Sequence, residues 1–150
     1  MEILKTNQLT PLQAQQVHEL WNREYPVKLA NRFSLLLEGV TRFNHYLIED
    51  GAKNVLAWAV DFDKDGETRF SIIVNTAHQQ KGLGSLLVET LKRENHEFFG
   101  WVIDHNNDVK STGEHYQTPM PFFVKHGFEI MHGVRIESDM LRAVKIKWRK

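Results

Sequence analysis

The period of the hydrophobic pattern changes abruptly in the middle of the chain, and this change constrains the fold more than any other feature. Apolar and polar residues alternate over residues 70–75, which predicts a strand that ends near Asn75. Leucines then recur at helical spacing from Leu83 to Leu91, which predicts a helix with one buried face. Two glycines, Gly82 and Gly84, allow a sharp turn between the two elements.

This turn has the features of an anion-binding site. The backbone N–H groups of a first helical turn have no partner within the helix, and the two glycines leave them uncovered by side chains. The helix dipole adds positive potential, and Lys81 lies beside it. Phosphate and diphosphate groups bind at such helix N-termini. An ordinary turn whose glycines serve close packing would produce the same short pattern.

Known phosphate-binding patterns discriminate between families. The P-loop requires G-x-x-x-x-G-K-[ST] and the dinucleotide fingerprint requires G-x-G-x-x-G, and neither fits this turn. The segment from Val74 to Gly84, VNTAHQQKGLG, fits Q-x-x-G-x-G after a strand and resembles the acetyl-CoA signature of the GNAT N-acetyltransferase superfamily. A second segment at residues 121–128, PFFVKHGF, resembles the F-Y-x-K-x-G-F segment of that family.

The composition favours one globular domain over residues 1–150, with 41% hydrophobic and 25% charged residues. A formal net charge of zero gives no general attraction to nucleic acid or membranes, and we expect neither as a partner. No apolar run approaches the roughly 18 residues of a membrane span. The chain has no cysteine, and its histidine spacings fit no metal motif. We expect a cytoplasmic protein that binds no metal.

The remaining pattern predicts the order strand, two helices, three strands, helix, strand, helix and two strands. Thr10, Pro11 and Gln13 predict a capped start of the first helix, which Tyr25-Pro26 ends. The other predicted bounds are strands over 1–4, 43–49, 54–62, 98–103, 128–136 and 141–149, a second helix over 31–38 and a fourth helix that begins near Pro119 and ends at Gly127.

Two polar features are interpreted as solvated surface. Residues 61–66 copy the first half of a calcium loop, but Ile72 stands where a bidentate Glu is required, so we predict a solvated hairpin. The alternating cations Lys145, Lys147 and Arg149 predict a solvated face of the last strand.

The resemblance implies the GNAT fold, a mixed and mostly antiparallel α/β sheet of about seven strands flanked by about four helices, with the fourth and fifth strands splayed apart. In that family the pantetheine arm of acetyl-CoA lies in the gap and pairs with the fourth strand. The resemblance therefore implies that Ile73, Val74 and Asn75 line the arm. It places the diphosphate on the turn, at Gln79, Gln80, Lys81, Gly82, Leu83, Gly84 and Ser85.

Acyl transfer needs an oxyanion donor, a base and an acid. The resemblance implies the backbone N–H of Val74 as the oxyanion donor. Asp104 and His105 are our first candidates for the base, because strand ends border the cleft and histidine titrates near neutrality. A solvated turn explains these two residues equally well. Glu67, on the central strand, is a second candidate.

The acid is where the chain departs from the family. The usual tyrosine falls on Phe123, which has no hydroxyl group. The leaving thiolate then takes its proton from water or from Tyr116, or the protein binds acyl-CoA without efficient transfer.

The sequence thus predicts an acetyl-CoA-dependent N-acetyltransferase that acts on a primary amine of a small molecule or peptide. Two alternatives stay open: a non-catalytic acyl-CoA-binding module, and a nucleotide-binding domain that uses the same turn. A homodimer is compatible with the sequence but is not required by it.

Overall fold

The computed structural model describes residues 2–150, with only the backbone at Gln80, and it is built on one seven-stranded sheet. Short 3-10 turns at Val27–Leu29 and Thr76–Lys81 precede the second and third helices. The elements are β1 (Leu4–Thr6), α1 (Pro11–Glu24), α2 (Phe33–Leu36), β2 (Phe43–Glu49), β3 (Val55–Lys64), β4 (Glu67–Val74), α3 (Leu83–Glu94), β5 (Glu97–Val102), α4 (Met120–Lys125), β6 (Glu129–Glu137) and β7 (Arg142–Arg149). Their order and the fold class confirm the prediction.

The start of α1 is fixed by the predicted capping box. The Thr10 hydroxyl oxygen accepts a hydrogen bond from the Gln13 backbone N–H at 3.1 Å, and the Gln13 side chain accepts one from the Thr10 N–H at 3.0 Å. Pro11 occupies the first helical turn, where its missing N–H costs nothing. Local sequence alone therefore determines where α1 begins.

The strands follow the spatial order β1-β2-β3-β4-β5-β7-β6. Every neighbouring pair is antiparallel except β4 and β5, which are parallel. β2, β3 and β4 form the predicted meander, because tight turns join them in sequence. α3 connects the two parallel strands, as a crossover between parallel strands requires.

Each face of the sheet has its own hydrophobic cluster. On one face, α3 buries Leu87, Val88 and Leu91 against the sheet in a cluster that includes Phe70 and Phe98. On the other face, α1 buries side chains such as Val17 and Leu20 in a cluster that includes Trp58. Burying one such side chain contributes roughly 1.5–3 kcal/mol.

The parallel contact between β4 and β5 is short, as the GNAT resemblance implied. Within residues 2–150 the ladder pairs Arg69 with Phe99 and continues no further. The Phe70 ring packs over Gly100, where a Cβ atom would lie 2.5 Å from Phe70 Cε1. A gap therefore opens between the strands beyond this point, toward their carboxyl ends.

The first strand and the second helix differ from the prediction. β1 covers Leu4–Thr6 rather than residues 1–4, because Leu4 to Thr6 pair with β2; Met1 lies outside the described residues. α2 is shorter than the predicted 31–38. Asn31 adopts a left-handed φ of 65° and its N–H bonds to the Asn22 side chain, which is incompatible with a helix at that point.

Two predictions of solvated residues were wrong in part. The hairpin turn at Asp65-Gly66 exists, but Asp61 is 1% exposed and accepts hydrogen bonds from Tyr46 and Asn95. On β7, Lys145 is partly buried, because its ammonium group binds the carboxylate of Glu67. Both corrections come from partners distant in sequence.

Between residues 2 and 150, no helix is long and apolar enough to cross a membrane. The same part of the chain holds no group of three or more histidine, aspartate or glutamate side chains placed to bind one metal ion.

Candidate active site

The turn that opens α3 leaves its backbone N–H groups exposed to a ligand. Gly82 has a left-handed φ of 77°, which redirects the chain from the 3-10 turn into the helix. The Gly82 carbonyl accepts the first helical hydrogen bond, from Leu86. Apart from Gln80, no described residue accepts a hydrogen bond from the N–H groups of Gly82, Leu83, Gly84 and Ser85. These four groups form the amide turn, and they can bind an anion together.

The missing side chain of Gly84 also allows close packing against neighbouring side chains. A Cβ atom there would lie 3.1 Å from Phe122 Cζ and 3.6 Å from Val74 Cγ2. The first turn of α3 therefore lies against both the end of β4 and the α4 helix. This packing places the amide turn directly beside the end of Val74.

The backbone of β4 alternates between its two neighbours. The Asn75 N–H donates to the Leu56 carbonyl at 2.9 Å, so in an antiparallel ladder Ile73 also bonds toward β3. Val74 and Ile72 consequently present their N–H and C=O groups to the gap on the β5 side. Of the three residues predicted to line the pantetheine arm, Val74 presents its backbone groups to the gap, whereas those of Ile73 and Asn75 point toward β3. Ile72, which was not among the predicted residues, also presents its backbone groups to the gap.

Side chains of the turn add polar groups near the amides. The Gln79 side chain reaches the Val74 carbonyl at 3.4 Å, and Lys81 Nζ lies 3.4 Å from His78 Nδ1. The Ser85 hydroxyl oxygen lies 3.0 Å from His126 Nε2. The predicted Gln80 contributes backbone to the 3-10 turn, and its side chain lies outside the described residues.

Asp104, a predicted base, is held in an ion pair. Arg135 binds both carboxylate oxygens, at 2.7 Å and 3.1 Å. This bidentate pair holds the pKa of Asp104 below its usual range. A carboxylate so engaged is a weak proton acceptor.

His105, the other predicted base, faces into the protein. Its Nδ1 accepts a hydrogen bond from the Asn107 N–H at 3.1 Å, which assigns the proton of the neutral ring to Nε2. His105 Nε2 lies 3.8 Å from Asp108 Oδ2. Both of these atoms are buried, and neither has a hydrogen-bond partner among the described residues. The opposite Asp108 oxygen binds Lys28 at 2.9 Å. Asp108, rather than His105, thus ties the loop after β5 to the connection between α1 and α2.

Glu67 lies at the wrong end of β4 for a base. It precedes Val74 by seven residues, or about 23 Å along an extended strand. Both its oxygens bind Lys145, at 2.6 Å and 2.8 Å, and Arg69 lies 3.0 Å away. The structure does not bring Glu67 to the gap.

Tyr116 packs edge-on against Tyr25, with 6.2 Å between the ring centroids. Ser71 of β4 lies near the Tyr25 hydroxyl. Burial raises the pKa of Tyr25 to about 12, and burial together with Tyr25 and Asp108 raises the pKa of Tyr116 further. Both phenols therefore stay protonated near neutral pH and can donate a hydrogen bond.

Phe123 cannot take over the missing tyrosine's role. Its ring is 6% exposed and packs against Phe70, Phe122 and Phe128 at centroid distances of 5.2–5.7 Å. The residue completes the hydrophobic cluster under α4.

A polar cluster that the sequence analysis missed joins α1 to the end of β4. Glu24 is 5% exposed, and it accepts hydrogen bonds from the backbone N–H and hydroxyl of Thr76. Burial would raise the pKa of Glu24, but the bonds from Thr76 and Arg23 and the charge of Lys110 outweigh it and hold the pKa below its usual value. No local sequence pattern predicts this cluster, because Thr76 is 52 positions from Glu24.

A cavity of about 220 Å³ lies beside this cluster. Residues 75–77, which follow Val74 in the chain, form part of its lining. Its lining carries both charges, because it includes Glu24 and Glu114 as well as Arg23 and Lys110. Its lining residues are Arg23, Glu24, Asn75, Thr76, Ala77, Lys110, Thr112 and Glu114.

Solved structures of similar shape come from one fold. A candidate phosphinothricin N-acetyltransferase superposes with a TM-score of 0.68 at 19% identity, over 99% of this chain and 98% of that one. The ribosomal-protein-S18-alanine N-acetyltransferase from Escherichia coli gives 0.63 at 16%, over 97% and 91%. The GNAT superfamily phosphinothricin acetyltransferase from Sinorhizobium meliloti, in complex with AcCoA, gives 0.60 at 14%, over 99% and 88%.

The chain has the GNAT fold. Neither a protein-family model nor a curated protein matches the sequence itself. The similarity therefore lies in the path of the backbone, and it confirms the architecture that the motif in residues 74–84 implied. The amide turn lies against the carboxyl end of β4, where the gap to β5 opens.

Proposed function

We propose that the protein is an acetyl-CoA-dependent N-acetyltransferase that transfers the acetyl group to a primary amine by direct attack on the thioester. One observation carries the proposal. The amide turn, Gly82 to Ser85, lies beside a gap into which the N–H of Val74 points. In this proposal the diphosphate binds the amide turn, and the arm and thioester lie in the gap.

The amide turn supplies the binding site for the diphosphate. The N–H groups of the amide turn and the positive end of the α3 dipole favour an anion. Lys81 adds a cation beside the turn, with its Nζ 3.4 Å from His78 Nδ1. The resemblance of residues 74–84 to the acetyl-CoA signature and the AcCoA complex of the Sinorhizobium meliloti protein support this assignment.

The gap would supply the contacts to the arm and the thioester. Ile72 and Val74 offer N–H and C=O groups in the direction in which a partner strand would bond. Val74 N–H would donate to the carbonyl oxygen as the amine nitrogen attacks the carbonyl carbon, and this hydrogen bond strengthens as negative charge develops on the oxygen. The carbon–sulfur bond then breaks and the coenzyme leaves as a thiolate.

Two protons must move in this reaction. The amine loses one proton. Asp104 is bound to Arg135 and His105 Nδ1 already accepts a hydrogen bond from Asn107, so solvent is favoured as the acceptor of this proton. The thiolate gains the other, and the protonated Tyr116 is our candidate donor. The assignment of Asp104 or His105 as the base stays a prediction. A change of loop conformation would free the lone pairs of either side chain.

The acceptor is proposed to enter over the cavity that follows Val74. Its lining, which includes both Glu114 and Arg23, suits a compact amine that also carries polar or anionic groups. A small-molecule amine or the amino terminus of a peptide has this character.

A second candidate is a non-catalytic acyl-CoA-binding module. It is favoured by Phe123, which places a buried phenyl ring where the family has a hydroxyl. Thiol release measured with acetyl-CoA and a panel of amines separates the two functions. Turnover with any amine supports the enzyme, whereas tight binding of acetyl-CoA without turnover supports the module.

Ligand-induced stabilisation tests the coenzyme site directly. A ligand at 100 times its Kd stabilises the folded state by ~2.7 kcal/mol, so CoA should raise the melting temperature and ATP should not. In Gly82→Glu the shift should vanish, because the side chain adds bulk and negative charge at the amide turn.

Gly39→Glu is the matched control for this variant. Gly39 has a φ of 76°, against 77° for Gly82, and a Cβ atom at either position meets no atom within 4 Å. Both variants therefore suffer the same backbone strain, about 1–2 kcal/mol, and only one alters the proposed site. An undiminished CoA shift in Gly82→Glu would contradict the placement of the diphosphate, and a shift produced by ATP instead would favour a nucleotide-binding domain.

A further inference from the structure

A serine and a histidine meet at the amide turn. Ser85 Oγ lies 3.0 Å from His126 Nε2, and the N–H of Ser85 belongs to the amide turn. The His126 ring packs against Phe122 at 4.6 Å between centroids, and Phe122 in turn covers Gly84. The packing of α4 on α3 therefore fixes the imidazole next to the first turn of the helix.

Three charged groups surround His126 among the described residues. On α3, Glu89 Oε1 lies 3.9 Å from His126 Nδ1, and Lys92 Nζ donates to the His126 carbonyl at 2.7 Å. Lys125 precedes it at the end of α4. Burial and the two lysines lower the pKa of His126, and Glu89 opposes them. In the free protein His126 is therefore largely neutral near neutral pH.

The charge of the ring decides what Ser85 can offer a ligand. A neutral ring with a lone pair on Nε2 accepts the hydroxyl hydrogen of Ser85, which then presents only lone pairs to an anion. An imidazolium carries hydrogen on both nitrogens, so its Nε2–H must donate to Ser85 Oγ. The Ser85 hydrogen is then free to donate to a phosphate oxygen. Protonation therefore adds a positive charge and a hydrogen-bond donor at the same time.

We propose that Ser85 and His126 are the side-chain part of the diphosphate site, and that uptake of a proton by His126 accompanies coenzyme binding. The inference rests on the proposed function, because it assigns the ligand of the amide turn to a diphosphate. By linkage, a ligand that favours the protonated ring binds more tightly as pH falls. Affinity should therefore rise between about pH 8 and about pH 5.5, where histidine titrates.

The experiment uses 3′-dephospho-CoA, because its diphosphate keeps a constant charge over this range whereas the 3′-phosphate of CoA titrates within it. Calorimetric titration of the wild-type chain should give a Kd about fivefold lower at the acid pH, as expected for one partly exposed charge near an anion. His126→Gln should bind with nearly the wild-type Kd at the alkaline pH and lose the pH dependence. Ser85→Ala should weaken binding at the acid pH and reduce the dependence.

His78→Gln is the matched control, since His78 also lies at the turn, beside Lys81. A pH dependence that survives in His126→Gln, or that disappears in His78→Gln instead, overturns the inference. A wild-type Kd that does not change with pH overturns it as well and leaves the proposed function intact. Failure of the wild-type chain to bind CoA at any pH overturns both. NMR titration of His126 provides an independent readout, and its pKa should rise when dephospho-CoA is added.

Discussion

A buried histidine makes the fold sensitive to acid. His45 is 3% exposed on β2, and its Nδ1 accepts a hydrogen bond from the Trp58 indole N–H at 3.0 Å. Protonation would place two N–H groups against each other in a buried site. Burial consequently lowers the pKa of His45 to about 4, although the nearby Asp61 opposes the shift.

The sign and size of the effect follow from the difference between the folded and unfolded states. In the unfolded chain the pKa of histidine is about 6.5, so below this pH the unfolded state binds a proton that the folded state does not. The free energy of unfolding therefore falls as pH decreases from about 6.5 toward about 4. With a folded-state pKa of about 4, the loss between about pH 7.5 and about pH 5.0 is ~2 kcal/mol.

Urea unfolding followed by tryptophan fluorescence at these two pH values measures the loss, provided that the m-value is unchanged. His45→Asn is the reference, since its amide oxygen occupies the position of Nδ1 and cannot titrate. The variant is less stable at both pH values, but it lacks the pH-dependent component of His45. The wild type should therefore lose ~2 kcal/mol more than the variant on acidification. A difference below about 0.5 kcal/mol would refute the assignment of a neutral His45.

Two further predictions concern the gap and its chemistry. Gly100→Ala should cost about 1–3 kcal/mol in urea unfolding, because the new Cβ would lie 2.5 Å from Phe70 Cε1; Gly51→Ala, with no atom within 4 Å, is the control, and equal losses would contradict this packing argument. Tyr116→Phe should lower kcat about a hundredfold without changing the Kd for CoA if Tyr116 protonates the thiolate. An unchanged kcat would remove Tyr116 from the mechanism.

The features that sequence predicted well are local ones. The capping box of Thr10 and Gln13 and the left-handed glycine after Lys81 involve residues within a few positions of each other, so their chemistry can be read from a short segment. The motif in residues 74–84 also predicted the fold, because the fold depends on where a strand, a turn and a helix succeed one another.

The errors concern partners that are distant in sequence. Arg135 is 31 positions from Asp104, and Lys145 is 78 positions from Glu67, so no local pattern showed that both predicted bases are held in ion pairs. The direction of the backbone at Ile73 likewise depends on its register with β3 rather than on its own neighbours. Which side chains are engaged can be learned only from the folded chain.

The single residue pair between β4 and β5 within residues 2–150 has a consequence for any ligand that enters between them. Strands β1 to β4 and strands β5 to β7 form two leaves, which meet where the Phe70 ring packs on Gly100. Beyond this contact each leaf keeps its own strand pairing without the other. A ligand chain that enters the cleft would therefore break no backbone pair between β4 and β5.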